Sequence, residues 1–185
     1  FAFDNVEVPA NHLLGADNGF DIVQRLICHA RITLAAMAIG NASAAMERAM
    51  DHSLHREQFG RPIYDNQAVS FMIADMAITI EAARELTFRA ARSLDDNEQQ
   101  ATLLTLMAKV FATDTGMAVT ADAVQCLGGG GYLRENAVER MMRDAKALQI
   151  TVGTNEIHRV LLTRKLAATF PSREPIRSVG LTTDI

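Results

Sequence analysis

The sequence has no tryptophan, and its aromatic residues together make only 5% of 185. A core built without large rings depends on smaller side chains, and Ala, Met and Leu are abundant here, all of them residues that favour helix. Cysteine is nearly absent. Cys28 and Cys126 lie far apart in apolar stretches, so they read as reduced, buried thiols rather than as a disulfide framework. Such thiols suit the bacterial cytoplasm or the mitochondrial matrix. Positive charge is not in excess: the net charge is −4, and nothing in that balance points to nucleic acid. No signal peptide is visible, and no uninterrupted apolar run reaches the roughly 18 residues of a membrane span, so none is expected. The first residue is Phe1 rather than Met, as expected for a piece of a longer protein.

The chain is nonetheless 49% hydrophobic and long enough for one compact domain with a sizeable core. Residues 1–8 alternate imperfectly before Pro9 and read as a short edge strand or hairpin remnant. Residues 10–19 read as a loop. From there the apolar spacing is helical. Ile32, Ala36, Ile39, Met46, Met50 and Leu54 define a helix over about 20–56, with Gly40-Asn41 as the place for a bend. The run Phe59-Gly60-Arg61-Pro62 breaks it. Val69, Met72, Ile73, Met76, Ile80 and Ala83 define a second helix over 65–93, capped by Asp65. Asp95-Asp96-Asn97 is the next turn. Leu103, Leu106, Val110, Met117, Ala121 and Val124 define a third helix over 98–126, with further helices at 136–148 and 155–169. Pro171 to Ile185 reads as a polar tail. The predicted fold is all-α, an antiparallel bundle of about five helices with a short β remnant at the N-terminus.

Several short patterns carry chemical information. Gly128 to Gly131 follow a helix and not a strand, so they fail the context test for a Rossmann fingerprint and read as a helix cap and turn. Arg56 stands at the edge of a loop, where a guanidinium is either a solvated charge or a two-pronged phosphate ligand. Thr154 before a helical run is a good N-cap, and a helix start also favours anions. His52 and His55 share a helix face without enough further ligands for a metal, so no metal site is expected. Arg143, Asp144 and Lys146 read as structural ion pairs.

Five segments, in one order along the chain, resemble the acyl-CoA dehydrogenase family. They are Val6-Glu7-Val8-Pro9 with Leu13-Leu14-Gly15, then Arg56-Glu57-Gln58-Phe59-Gly60-Arg61-Pro62-Ile63 with Gln67, then Asp122 through Tyr132, then Arg143-Asp144-Ala145-Lys146, and last Gly153-Thr154-Asn155-Glu156-Ile157. The resemblance covers nearly the whole chain. It implies the end of a middle β-domain and a linker over 1–19, the family's C-terminal helical domain over 20–170, and the tail over 171–185. It implies an FAD-dependent oxidoreductase acting on the CH–CH bond of an acyl-CoA thioester. Arg56 would meet the cofactor's pyrophosphate, Phe59 would pack on it, and Gln58, Gln67, Thr154 and Glu156 would contact it. Gln125, Leu127, Gly128 and Gly129 would lie against its adenosine-diphosphate half, reaching across to a neighbouring subunit. Arg31 and Gly153 fall on the substrate side. An electron-transfer flavoprotein is the implied acceptor, and pairing into dimers and tetramers is the implied assembly.

One implied group is missing. The family's chemistry needs a carboxylate to take the α-proton while the flavin accepts the β-hydride. The two positions that carry this glutamate in the family correspond to Val152 and Ala30, so no catalytic residue is assigned within the chain. Three explanations stand. The base is a shifted residue, with Glu156 the nearest in sequence, or it comes from a domain outside this chain. The chain is the non-catalytic partner in a heteromeric acyl-CoA dehydrogenase. Or it performs a relative's elimination or desulfination of an acyl-CoA.

Overall fold

The computed structural model describes residues 1–15 and 18–170, and it is all-α. Its helices are α1 (Gly19–His55), α2 (Gln67–Asp95), α3 (Ala101–Leu127), α4 (Val138–Ile150) and α5 (Asn155–Thr169). α3 runs through the middle and packs against each of the other four.

The seam between α1 and α3 explains the composition. Ala35, Ala38, Ala42, Ala45 and Ala49 are fully buried on α1. Their alternating three- and four-residue steps place them in one stripe. Gly116 and Cys126 of α3 face this stripe, at Ala38 and Ala49. A Cβ added to Gly116 would lie 3.4 Å from the Ala38 Cβ, so the two helices approach closely. Of the six residues expected to form the α1 stripe, Ile39 is buried, Ile32, Met46 and Met50 are half-buried, and Ala36 and Leu54 are exposed. α1 is also long and apolar enough to cross a membrane by length and composition, which a search for unbroken apolar runs overlooks. Here its small-residue face is spent inside the bundle.

α2 follows the sequence closely, with Ile73, Met76, Ile80 and Ala83 buried. The boundaries differ in instructive ways. α1 runs unbroken through Gly40, and the Asn41 amide ties down a neighbour instead, donating to Met141 O at 2.7 Å. The cap of α2 is Asn66, while Asp65 ends a short 3₁₀ turn. α3 begins at Ala101, with Gln100 as its cap and Glu98 engaged just before it. Both carboxylate oxygens of Glu98 accept from Arg89, at 2.8 and 2.7 Å, which holds that carboxyl down at about 2.

The short β element is not at the N-terminus. Residues 1–8 are exposed and form no strand, since an edge strand with no partner has unpaired backbone groups on both sides. The strands are β1 (Glu57–Gln58) and β2 (Arg61–Pro62), antiparallel, with Gln58 opposite Arg61. The tail 171–185 lies outside the described residues.

Candidate cofactor and substrate site

The residues singled out in the sequence fall into two clusters. The first surrounds the C-terminal end of α1. Arg56 caps that helix, its N–H donating to His52 O at 2.8 Å. It lines a groove of ≈ 680 Å³ with Arg48, His52, His55, Leu127 and Asn136. Leu127 brings the glycine corner to the same groove, since Gly128 caps α3 at φ 59 and begins a 3₁₀ turn through Tyr132. The four glycines are not equivalent. A Cβ on Gly131 would meet Val124 O at 2.7 Å, so the turn folds back on α3 only with glycine there, whereas Cβ atoms on Gly128 and Gly129 would meet nothing within 4 Å. Gln125 beside them is exposed.

The hairpin lies just beyond Arg56. Its two turn residues, Phe59 and Gly60, have φ of 55 and 76, the arrangement of a two-residue turn of the primed kind. Asn, Asp or Gly normally fills the first position. A bulky ring there is strained and, at 96% exposure, receives nothing from the domain in return. Gln58 and Gln67 on either side are also exposed. This end therefore carries a guanidinium, an unsupported aromatic ring and open glycine backbone. That is the donor set a dinucleotide with a pyrophosphate and flat rings calls for.

The second cluster is at the start of α5. Thr154 is the N-cap, its Oγ1 accepting from Ile157 N at 3.4 Å. Val152 and Gly153 make the turn before it, both left-handed at φ 57 and 93. Gly153 is required twice over, since a Cβ would also sit 3.2 Å from the His158 ring. Behind this turn lies a buried polar group. Lys109 is fully buried on α3, and its Nζ donates to Gln149 O (3.1 Å), Gly153 O (3.1 Å) and Asn155 Oδ1 (2.7 Å). Burial pulls its ammonium down to about 8, against the attraction of Asp114 and Glu156. Asn155 Nδ2 donates in turn to Thr113 Oγ1 (2.9 Å) and Asp114 Oδ1 (2.7 Å). On the other side, Arg31 is buried and its Nε donates to His158 Nε2 at 3.2 Å. His158 Nδ1 therefore carries the proton and donates to Thr154 O at 2.8 Å. Burial lowers the His158 pKa, so the ring is neutral at physiological pH.

The two carboxylates of this cluster, Glu156 and Asp114, are both engaged. Val152 is 41% exposed, and Ala30 on α1 is half-buried. Glu156 is held below the usual carboxylate range by hydrogen bonds from its own backbone N–H and from the Thr154 hydroxyl, which makes it a poor proton acceptor. Asp114 accepts from Gln149 (2.6 Å), Asn155 and Arg159 (2.6 Å).

Arg31, Gly153, Thr154 and Glu156 thus share one cluster, and Arg56, Leu127 and the open glycines the other. The structure does not bring the two together. Twenty-five residues of one helix separate Arg31 from Arg56, roughly 37 Å at the helical rise. Sequence reasoning passed over Lys109, Asn155, His158 and Asp114. A lysine inside the apolar run Leu103–Phe111 was the available signal. The ion-pair expectation needs one correction: Arg143 pairs with Glu139, one turn back at 2.9 Å, and Lys146 donates to the Gln149 amide, because i,i+3 and i,i+4 neighbours meet on a helix and adjacent residues do not.

Known proteins resemble this chain over most of its length. The family model described as acyl-CoA dehydrogenase, C-terminal domain, matches residues 17–167. A cyclohex-1-ene-1-carbonyl-CoA dehydrogenase of Geobacter metallireducens is 50% identical over 165 residues, covering 89% of this chain and 43% of that protein. The butyryl-CoA dehydrogenase structure of Megasphaera elsdenii superposes with a TM-score of 0.85 at 42% identity, covering 89% of this chain and 43% of the other. A chain in a structure described for the electron transferring flavoprotein of Acidaminococcus fermentans gives 0.84 at 45% identity, with the same two coverages. The chain spans less than half the length of the curated relatives it matches. It belongs to the acyl-CoA dehydrogenase family, as that family's C-terminal helical domain.

Proposed function

We propose that the protein is an FAD-dependent oxidoreductase of the CH–CH bond of an acyl-CoA thioester, and that its proton acceptor lies outside this domain. The observation that carries the reading is the turn at Val152. By the resemblance this turn is where the base would stand, it carries a valine, and Asp114 and Glu156 in the same cluster are already engaged.

FAD is the cofactor that the first cluster fits. Arg56 would hold its pyrophosphate, Phe59 would pack on a ring, and Gln125, Gly128 and Gly129 would approach its adenosine half, while Gln58 and Gln67 would add polar contacts. When bound, the flavin supplies a hydride acceptor. Thr154 and Glu156 would meet the flavin from the second cluster. One dinucleotide is too short to join both clusters of one chain, so each site would be completed by a second copy. The exposed Phe71 and Ile78 of α2 are apolar surface for such pairing. An electron-transfer flavoprotein as acceptor and a cytoplasmic setting complete the reading.

The substrate class follows from the missing base. In a cyclohex-1-ene-1-carbonyl thioester, the substrate in one relative's name, the ring carbon next to the carbonyl is double-bonded and bears no hydrogen. A carboxylate aimed at that carbon would have no proton to remove. Dehydrogenation would instead take a proton from another ring carbon, toward a base placed elsewhere. Val152 and Ala30 then serve as apolar wall against the ring, and Arg31 and Gly153 stay on the substrate side.

Anaerobic flavin bleaching of the full-length protein tests this. The cyclic unsaturated thioester is expected to bleach it, and a saturated straight-chain acyl-CoA to do so slowly. Val152→Glu is expected to raise the straight-chain rate by about 10²–10⁴-fold, the usual contribution of a placed base. Rapid bleaching of the wild type by the straight-chain thioester would overturn the reading. If neither thioester bleaches either protein, the non-catalytic partner subunit takes its place.

A further inference from the structure

Val152 is β-branched, yet it sits at φ 57. Contact between Cβ and the backbone makes that region costly for such a side chain. The turn contains a glycine immediately after it, so a relaxed chain could place its positive φ on Gly153 alone. Something outside the turn holds Val152 where it is.

The three contacts of Lys109 supply that hold. They reach the last turn of α4 at Gln149 O, the turn itself at Gly153 O, and the first residue of α5 at Asn155 Oδ1. Three acceptors match the three N–H donors of an ammonium, and none is left over. The stem is anchored in α3, between Ala108 and Ala112, which are also fully buried. We propose that Lys109 is a positioning residue: it forces the left-handed Val152-Gly153 turn by drawing both flanking helix ends and the turn carbonyl onto one nitrogen. In so doing it sets where Val152 and the start of α5 face the site. This last step rests on the reading given under Proposed function, whereas the clamp on the turn does not.

A double-mutant cycle separates a clamp from a merely stabilising residue. Apparent thermal midpoints are measured at one scan rate on full-length wild type, Val152→Gly, Lys109→Met and the double variant. With the clamp intact, glycine at 152 relieves strain and is expected to raise the midpoint by roughly 2 °C. In the Lys109→Met background the turn has already relaxed, so the same substitution is expected to give no gain. The added freedom of glycine in the unfolded chain is common to both backgrounds and cancels. Equal gains in both overturn the proposal. If Lys109→Met does not fold, Asn155→Ser removes one of the three acceptors, and the gain is expected to shrink without vanishing. An undiminished gain there is equally fatal. The visible flavin band of the same loaded proteins adds a signature that a distant loss of stability would not move. It is expected to shift in Lys109→Met and to stay in place in a core variant such as Ile80→Val. An unmoved band with a positive cycle would leave the clamp standing and overturn the placement of the turn against the flavin.

Discussion

The α1–α3 seam and the corner where α3, α4 and α5 meet are both buried, but they are built from opposite materials. Along its alanine stripe the seam is made of small side chains, with Gly116 against Ala38 and Cys126 donating to Ala49 O at 3.6 Å. The corner holds two hydrogen-bonded groups, Lys109 with Asn155 and Thr113, and Arg31 with His158, on either side of Gly153. Close packing of small residues contributes stability without specifying any one atom's place to a ligand. A satisfied polar network does the reverse: its net contribution is modest, and it fixes particular carbonyls in space. The domain uses the first to hold α1 against α3 and the second behind the Val152-Gly153 turn.

The largest expected effect lies in the seam. Ala45→Leu adds volume where two helices leave none, and overpacking of this kind is expected to cost about 3 kcal/mol. Thermal unfolding of the full-length protein measures it, and the flavin band of whatever remains folded is expected to be normal. A displaced band would show that the seam positions the site after all.

A smaller effect is expected at Arg56. Arg56→Ala loses charge-assisted contacts worth about 2 kcal/mol of cofactor affinity, and Arg56→Lys is expected to fall between that variant and wild type. FAD retained after gel filtration measures both. Unchanged retention in Arg56→Ala would remove the first cluster from the cofactor.

The smallest effect is a pH dependence confined to the corner. His158 has a folded pKa below its ordinary value of 6.5. The unfolded chain therefore takes up the proton first as pH falls below about 6.5, and stability is lost from there down to the folded value. Protonation would also turn Nε2 from the acceptor of the Arg31 bond into a second donor facing it. Acid titration of the midpoint should show this limb in wild type and lose it in His158→Gln.

The same contrast explains what the sequence conveyed. The buried stripe of α2 was legible because its first half is Ile73, Met76 and Ile80, whose spacing is plain in the sequence. The buried stripe of α1 is alanine, which carries little weight in a hydrophobic pattern, so larger residues such as Leu54 drew the eye and proved exposed. The positions of Arg56 and the glycine corner were legible from local chemistry, as was the Thr154 cap. The Lys109 network was not, because its partners lie 40 to 46 residues onward and only the packing of three helices brings them together. The hairpin was read as a break, since two-residue strands leave no periodicity to detect.

The length of α1 has a thermodynamic consequence if one copy supplies Arg56 and another supplies Thr154 to the same cofactor. Assembly and cofactor retention are then linked equilibria, each drawing on the other's free energy. Dilution that separates the copies would release the flavin, and removing the flavin would loosen the assembly. On that arrangement, an apoprotein that dissociates more readily than the loaded form is the expected consequence of the span of one unbroken helix.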